Sequence, residues 1–432
     1  RYDCAYCINR RSNDIPRATL SVTELVNLTI EFYRRNYIEG LFLSSGVVRN
    51  PDYTMERLVR IVKDLRTIHR FNGYIHLKGI PGASPELIHE AGLYADRMSV
   101  NIEIPNEKSL QTLAPEKDFQ SVFTPMRHIQ QGVLESAEER KKYRSAPRFA
   151  PAGQSTQMII GATPDSDKDI LRLSSALYQR PTMKRVYYSG FVPVNAYDNR
   201  LPQLKQPPLV RENRLYQADW LLRFYQFKVD EIVDDSYPDL DLEIDPKLAW
   251  ALRHPEKFPV DINRADYELL LRIPGLGVKS AKMIIVSRRY GKINGSQLKK
   301  MGVVLKKAQY FITCNELPLQ TVQELRAELA LEQQVDLVTR FGGQFVLAVG
   351  TVLFQVFQND VRAKVGGQDD DGVLKVHGTA LAVGNTAIVK DLQQNVEHIR
   401  VGFFHLIKQH NAVGMAAHSF GQLTTLLITH IS

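Results

Sequence analysis

The sequence predicts an α/β fold with a mainly parallel sheet in its first half. Helical and extended patterns alternate at short intervals from Thr19 to about Tyr188, as they do in chains built from strand-helix-strand units. The chain has 432 residues, 44% of them hydrophobic and 24% charged, which is typical of a globular protein with two or three domains. The longest apolar run, Phe345 to Phe357, is too short to cross a bilayer. We therefore predict no membrane partner.

The individual elements follow from hydrophobic spacing. Leu25, Leu28 and Phe32 repeat at helical intervals within 21–36, and residues 39–45 form a buried apolar run that ends in small polar residues, typical of a strand. The same patterns predict, in chain order, helix 54–70, strand 74–79, helix 84–92, strand 96–103, helix 107–113, a charged helix or surface excursion at 135–150, strand 156–161, helix 166–178 and strand 183–190.

Functional residues of parallel sheets and barrels lie where the strands end at their carboxyl side. This rule selects Ser44, Ser45, Gly46, Lys78, Asn101, Glu103, Gln157 and Tyr188. Asn101 and Glu103 are two residues apart and so share one face of an extended chain. Simple turn chemistry is the alternative for Ser44 and Gly46, and a solvent-facing charge is the alternative for Glu103.

Two cysteines stand near the start of the chain, in Tyr2-Asp-Cys4-Ala-Tyr-Cys7. Their spacing is that of the last two ligands in a C-x3-C-x2-C loop, which holds three irons of a 4Fe–4S cluster and leaves the fourth to a cofactor. Half of a zinc site or a thioredoxin-like redox pair has the same spacing. The third cysteine, Cys314, is distant in sequence, and no strand is predicted before Cys4, which disfavours both alternatives. Few cysteines and an iron–sulfur site indicate a reducing, cytoplasmic compartment.

The order of the cysteine loop, Ser44-Ser-Gly46 and Ser99-Val-Asn-Ile-Glu103 resembles the radical S-adenosylmethionine (SAM) superfamily. The resemblance implies a partial (β/α)6 barrel whose first strand and first cluster ligand would precede Arg1. It implies a 4Fe–4S cluster on Cys4 and Cys7, shielded by Tyr6. The implied SAM contacts are Tyr6, Ser44, Ser45, Gly46, Asn101 and Glu103. Lys78, Gln157 and Tyr188 are then candidates for the barrel interior, and with two of three ligands the chain is expected to be inactive.

The first domain is predicted to span 1–195, and a proline-rich connection at 196–257 follows it. Four prolines, Pro193, Pro202, Pro207 and Pro208, disfavour regular structure up to about residue 210. Residues 214–227 then have the spacing of an amphipathic helix, and the acidic stretch 234–245 is interpreted as a solvated loop.

A second motif lies in the region 258–315, which we predict to be a small helical domain. An apolar helix ends at Ile273, Pro-Gly275-Leu-Gly277 turns the chain, and a second helix begins near Val278. Backbone amides freed at such a helix start can bind phosphate. The segment resembles the helix-hairpin-helix element, which implies contacts to the DNA backbone from Gly275, Gly277, Lys279, Ser280 and Lys282. A purely structural helical hairpin is the alternative.

The two motifs in this order resemble the DNA modification/repair radical SAM proteins over about residues 1–315. That resemblance implies reductive cleavage of SAM to a 5′-deoxyadenosyl radical for DNA modification or repair, with a uracil-DNA-glycosylase-like protein as a partner. The net charge of +8 is consistent with a polyanionic ligand. Two alternatives stay open: a non-catalytic helix-hairpin-helix DNA-binding protein, and a radical SAM enzyme that acts on RNA or protein.

The tail, 316–432, has a different composition. No Pro, Tyr, Trp or Cys follows Pro318, although the chain contains 21 Pro and 18 Tyr. Residues 401–410, Val-Gly-Phe-Phe-His-Leu-Ile-Lys-Gln-His, resemble reading frames labelled NAD-specific glutamate dehydrogenase, but no Gly-x-Gly-x-x-Gly fingerprint predicts NAD binding. We interpret the tail as a frameshifted or misjoined extension without a fold of its own, with an appended β-rich module as the alternative.

Overall fold

The computed structural model describes residues 2–195, 197–318, 320–330 and a strand at 425–428. These residues fall into two compact units. The first comprises 2–216 with 233–240 and the strand at 425–428, and the second comprises 217–232 with 241–330. Most of the predicted tail, 331–424 and 429–432, lies outside the described residues, and the interpretation of it stays a prediction.

The first unit is built on a parallel sheet, as predicted. Its strands are β1 (Gly40–Leu43), β2 (Tyr74–Lys78), β3 (Arg97–Ser99), β4 (Gln154–Ile160) and β5 (Met183–Gly190), in the spatial order β5-β4-β3-β2-β1. Leu41 pairs with Ile75, and Leu77 pairs with Met98. All four of these side chains are fully buried, so the centre of the sheet is a continuous apolar core, as expected of a parallel sheet covered on both faces. The short strand Thr425–Ile428 pairs in parallel with the outer edge of β1.

Helices connect the strands, and their starts follow local capping chemistry. The helices are α1 (Val22–Arg34), α2 (Pro51–Thr67), α3 (Pro85–Tyr94), α4 (Glu107–Leu113), α5 (Phe119–Lys142) and α6 (Asp167–Tyr178). Ser21 and Glu24 form a capping box at α1. α2 begins three residues before its predicted start, because the Asn50 side chain accepts the Tyr53 amide and Pro51 occupies the first helical position.

Helix α5 differs from the sequence prediction. A charged helix or surface excursion was expected at 135–150, but the helix runs from Phe119 to Lys142. Pro125 obscured its first half, since proline inside a helix removes one backbone donor and leaves the carbonyl four residues earlier without its partner. Here that carbonyl belongs to Ser121, and it accepts the Gly82 amide at 3.0 Å. A contact from a distant loop therefore makes the helical proline tolerable.

Strand β3 is shorter than predicted. Its regular pairing ends at Ser99, and the Thr156 hydroxyl then inserts between the chains, donating to Val100 O at 2.8 Å and accepting from Ile102 N at 3.1 Å. Backbone pairing with β4 resumes at Glu103, which bonds to Gln157 O and Ile159 N. A side-chain bridge of this kind leaves no trace in hydrophobic spacing, and it produces an irregular segment where Asn101 and Glu103 lie.

The second unit is mainly helical. Its described elements are the end of α7 (Leu209–Phe224), α8 (Val229–Ile232), α9 (Pro246–Arg253), a 3-10 turn (Pro255–Lys257), β6 (Val260–Asp261), α10 (Tyr267–Arg272), α11 (Val278–Ser287), α12 (Gly295–Lys300), α13 (Leu305–Ala308) and β7 (Ile312–Thr313). Helix α7 begins five residues before its predicted start. Residues 322–330, assigned by sequence to the tail, are helical, and Glu328 accepts the Tyr310 hydroxyl at 2.8 Å.

The acidic stretch 234–245 is more than a solvated loop. Asp235 is fully exposed but pairs with the buried Lys168, and Asp239 accepts the Asp167 amide at the start of α6. Asp245 caps α9 through the Leu248 amide at 2.9 Å. Among the helices that the structure describes, none is long and apolar enough to cross a membrane.

Candidate functional site

A pocket of about 370 Å³ lies in the first unit, where the cysteine loop meets the carboxyl ends of the strands. Seven residues that were predicted to bind a cofactor line this pocket: Cys4, Tyr6, Cys7, Ser45, Gly46, Asn101 and Glu103. Lys78, a candidate for the barrel interior, lines it as well. Residues predicted from the strand ends and residues predicted from the cysteine motif therefore line the same pocket.

The cysteine loop is a tight turn held from both sides. The Cys7 amide donates to Cys4 O at 3.0 Å, and the Ala5 amide donates to Leu113 O at 2.7 Å. The buried Asn195 amide donates to Ala5 O at 2.7 Å and to Cys7 O at 3.0 Å. Cys4 is 6% exposed and belongs to an apolar cluster with Ala5 and Leu110. The loop is thus fixed mainly through its backbone groups, while Tyr6 and the Asn9 amide contact the two thiols.

An ion-pair network braces the residues that follow the loop. The buried Arg10 guanidinium lies 3.0 Å from an Asp3 carboxylate oxygen and 2.6 Å from one of Asp198, and Arg200 pairs with the same Asp198. Hydrogen bonds from Arg10 hold the pKa of Asp3 below its usual range, and bonds from Arg200 and Arg10 do the same for Asp198. Both aspartates therefore stay ionised at neutral pH, and they neutralise Arg10.

Glu103 is the electrostatic centre of the pocket. One of its carboxylate oxygens lies 3.6 Å from Lys117 Nζ and 3.7 Å from Lys78 Nζ. Burial by itself raises the pKa of this carboxyl, but the two ammonium groups and a bond from Asn101 outweigh burial and lower it. Its backbone φ is +66°, a conformation that costs a non-glycine residue about 1 kcal/mol or more and that recurs at functional sites.

The two thiols provide soft donors of the kind that bind iron in iron–sulfur clusters. Burial raises the pKa of both Cys4 and Cys7, although Lys117 partly offsets this for Cys4. Both thiols are therefore protonated at neutral pH, and ligation of a metal would have to release their protons. Within the described part of the chain no group of three or more His, Cys, Asp or Glu side chains is arranged to hold a metal ion. The donors fit two positions of a cluster.

Three predicted residues lie away from the pocket lining. Ser44 is buried, and Gln157 lies within β4, where its side chain accepts from Asn101 at 3.3 Å. The Tyr188 hydroxyl donates to Ser174 in α6 at 2.9 Å, so its ring is in the helical layer. The prediction that Tyr188 faces the interior of a barrel differs from this placement, because successive residues of a strand face opposite sides of the sheet.

In the second unit, α10 and α11 form the predicted hairpin. Gly275 has φ +76°, and a Cβ there would lie 2.6 Å from Val304 O. Gly277, the N-cap of α11, has φ −93°, and a Cβ there would make only an ordinary contact at 3.5 Å with the Tyr225 hydroxyl. Only the first glycine is therefore required by the geometry of the turn. Leu276 is buried inside the turn.

The polar residues of the hairpin divide into two groups. Lys279 and Lys282 are exposed on α11, and no side chain caps the helix start. Ser280 is 5% exposed and its hydroxyl donates to Met301 O at 2.8 Å. As the third residue of α11, Ser280 faces inward, toward the residues after α12. A contact between this hydroxyl and a ligand stays a prediction.

No protein-family model matches the chain, and no curated protein does. Among solved structures, the chain is similar to HydG, a maturase of the FeFe hydrogenase, with 14% identity over 81% of each chain and a TM-score of 0.39. A likeness of this size supports no inference about activity.

Sequence reasoning missed three residues of the pocket and its frame. Lys117 is almost fully buried and its ammonium lies 3.4 Å from the Tyr6 hydroxyl, yet it stands in the loop between α4 and α5, outside every strand. Asn195 donates to the backbone of the cysteine loop, and Arg10 pairs with Asp198, so both act on residues that are far away in sequence. A signal for Lys117 was present: it belongs to the connection that follows β3, and such connections carry functional residues in parallel sheets.

Proposed function

We propose that the chain belongs to a radical SAM enzyme that modifies or repairs DNA. The observation that carries the proposal is the convergence of Cys4 and Cys7 with polar strand-end residues on one pocket of a parallel α/β unit. A 4Fe–4S cluster bound by such thiolates supplies the electron that cleaves SAM reductively to a 5′-deoxyadenosyl radical. Cys4 and Cys7 would hold it.

The other pocket residues bind and orient in this proposal. Tyr6 packs beside the cysteines in the apolar cluster and would exclude water from them. Ser45, Gly46, Asn101 and Glu103 would contact SAM. Glu103 is suited to this role because its lowered pKa keeps it ionised and able to accept hydrogen bonds from an ammonium or a ribose hydroxyl.

The DNA part of the proposal is supported by the hairpin of the second unit. The uncapped start of α11 and the exposed Lys279 and Lys282 can contact backbone phosphates without reading sequence. A duplex base would have to leave the stack before chemistry could reach it. The partner suggested by the family resemblance, a uracil-DNA-glycosylase-like protein, stays a proposal, as does a cytoplasmic location.

The decisive experiment compares two versions of the full chain, one with a cysteine added directly before Arg1 and one with a serine there. Both are reconstituted anaerobically with iron and sulfide, and 5′-deoxyadenosine formation from SAM is measured with and without DNA. We expect the cysteine version to form the product, the serine version to form far less, and DNA to stimulate the reaction. Cys4→Ser and Cys7→Ser in the cysteine version should abolish it.

Each alternative has its own outcome. A folded, iron-loaded cysteine version that binds DNA and forms no 5′-deoxyadenosine would replace the catalytic proposal with the non-catalytic DNA-binding protein. Product formation without measurable DNA affinity would favour an enzyme that acts on RNA or protein.

A further inference from the structure

The pocket in the first unit carries a marked excess of positive charge. Arg10, Arg11, Arg17, Lys78 and Lys117 line it, and Glu103 is the sole acidic residue among the described lining residues. Arg10 is neutralised by Asp3 and Asp198. Arg17 donates to the backbone carbonyls of Ile15, Arg10 and Asn13, and neither Arg11 nor Arg17 pairs with a carboxylate among the described residues. Of these four unneutralised cations, only Lys78 and Lys117 lie within 4 Å of a carboxylate among the described residues, and both approach Glu103.

The distances around Glu103 show that neither lysine ammonium makes a short hydrogen bond to its carboxylate. Ammonium–carboxylate hydrogen bonds in proteins are about 2.7–2.9 Å long, whereas Lys117 and Lys78 lie 3.6 and 3.7 Å from the same oxygen. The Lys117 ammonium is also 3.4 Å from the Tyr6 hydroxyl. Each ammonium has three donors, so both keep donors for a further acceptor.

Such an arrangement is costly without an additional anion. The Lys117 side chain is 11% exposed and that of Lys78 is 23% exposed, and burying a cation without full compensation is unfavourable. SAM does not provide that compensation, since its carboxylate is balanced by its own ammonium and its sulfonium adds a positive charge. In the chain without a cluster, a second ligand that is an anion would supply the missing negative charge.

We propose that this pocket binds a phosphate group of the substrate, held between Lys78 and Lys117, with Arg11 and Arg17 at the entrance. The inference rests on the proposed function and narrows its substrate to a phosphorylated nucleotide. The phosphate belongs either to a free nucleoside monophosphate or to the strand on which the reacting nucleotide lies. This contact is separate from the backbone contacts proposed for the hairpin, because all of its residues belong to the first unit.

The test is a binding measurement on the full chain without iron or SAM. Isothermal titration at low salt compares the four deoxynucleoside 5′-monophosphates with the matching nucleosides, and with dinucleotides that carry one phosphodiester. We expect at least one monophosphate or dinucleotide to bind about 10- to 100-fold more tightly than its nucleoside, the effect of one or two hydrogen bonds to charged groups. The preferred form identifies the source of the phosphate.

Substitutions test whether Lys78 and Lys117 are the residues that bind the phosphate. Lys78→Met and Lys117→Met should each remove most of the preference for the phosphorylated ligand, while Lys117→Arg should retain it. Lys108→Met removes the same charge from an exposed position on α4 and should change nothing. Thermal melting checks folding; if Lys117→Met does not fold, the less buried Lys78→Met decides.

Equal affinity for nucleotides and nucleosides, or a preference unaffected by both lysine substitutions, would overturn the inference. Because neither iron nor SAM is present, that failure is distinct from failure of the radical reaction. A negative result here with 5′-deoxyadenosine formation in the earlier experiment would leave the proposed chemistry standing. Phosphate-dependent binding without that product would retain the site and reject the chemistry.

Discussion

The pocket and the hairpin are assembled in opposite ways. The pocket depends on contacts between residues far apart in sequence, such as Ala5 with Leu113 and Cys7 with Asn195. The hairpin is more local: Gly275, Ser280, Met301 and Val304 lie within 30 residues, and Lys247 adds a bond to Leu276 O at 2.6 Å. A local turn can be recognised from a short motif, whereas a site assembled from distant segments reveals only the members that have a motif of their own.

The largest effect is expected where the hairpin leaves no room. Gly275→Ala places a Cβ 2.6 Å from Val304 O on a backbone with φ +76°, which should lower the free energy of unfolding by about 3 kcal/mol through conformational strain and a clash with a backbone oxygen. Urea denaturation measures it. Gly291→Ala is the matched control, since no atom lies within 4 Å of its added Cβ. Equal effects of the two substitutions would show that the turn is not constrained as described.

The pocket should be sensitive to a residue that no motif contains. Asn195→Ala removes two donors from buried carbonyls of the cysteine loop, and leaving those acceptors unpaired should cost about 2 kcal/mol. The loop should also open more often, so that Cys7 is alkylated faster by iodoacetamide, as measured by mass spectrometry. Gln131→Ala removes a surface bond to Glu135 and should alter neither quantity. An unchanged alkylation rate in Asn195→Ala would contradict the assigned role.

The sheet beneath the pocket should respond to acid through His76. Burial, with help from Arg97 and Lys78, lowers the pKa of His76 from 6.5 to about 3. Because the folded state stays neutral while the unfolded state binds a proton below pH 6.5, this contribution is complete above that pH and is lost as pH falls toward 3. Between pH 7 and pH 5 the loss should be about 1–2 kcal/mol. His76→Gln should flatten this part of the pH profile of unfolding, and an unchanged slope would refute the assignment.

The smallest effect separates structure from binding in the hairpin. Ser280→Ala removes the bond to Met301 O and should cost about 1 kcal/mol of stability, with DNA affinity unchanged. Lys279→Ala and Lys282→Ala should each reduce the salt dependence of DNA binding by about one counterion. Fluorescence anisotropy over a range of salt concentrations measures the DNA affinity and its salt dependence. Weakened DNA binding in Ser280→Ala equal to that of the lysine variants would support the original prediction for this hydroxyl.

Elements with uninterrupted periodicity were predicted well. Strand β5 and helix α4 have the bounds that the sequence indicated. Helix α5 and strand β3 were not, since Pro125 depends on a distant amide and the end of β3 depends on the Thr156 side chain. Local patterns carry no information about such partners.

In the candidate site, likewise, only the residues that belong to a local sequence pattern were predicted. Cys4 and Cys7 have a motif, and Glu103 follows a strand, so both were found. Lys117 has no motif and stands one helix beyond the end of β3, although it contributes to the charge of the pocket together with Lys78. The inward placement of Ser280 likewise depends on Met301, which lies beyond the motif.

The left-handed backbone of Glu103 has a consequence for how this chain would change under selection. Replacing Glu103 by glycine would relax the backbone at φ +66° and leave two partly buried ammonium groups without their carboxylate. Libraries selected for pocket function should keep the carboxylate, although a residue in this conformation stabilises the chain less than glycine would. In a second kind of library, Lys78 and Lys117 are first replaced by uncharged residues and selection is for thermostability alone. Such libraries should instead accumulate glycine or asparagine at position 103.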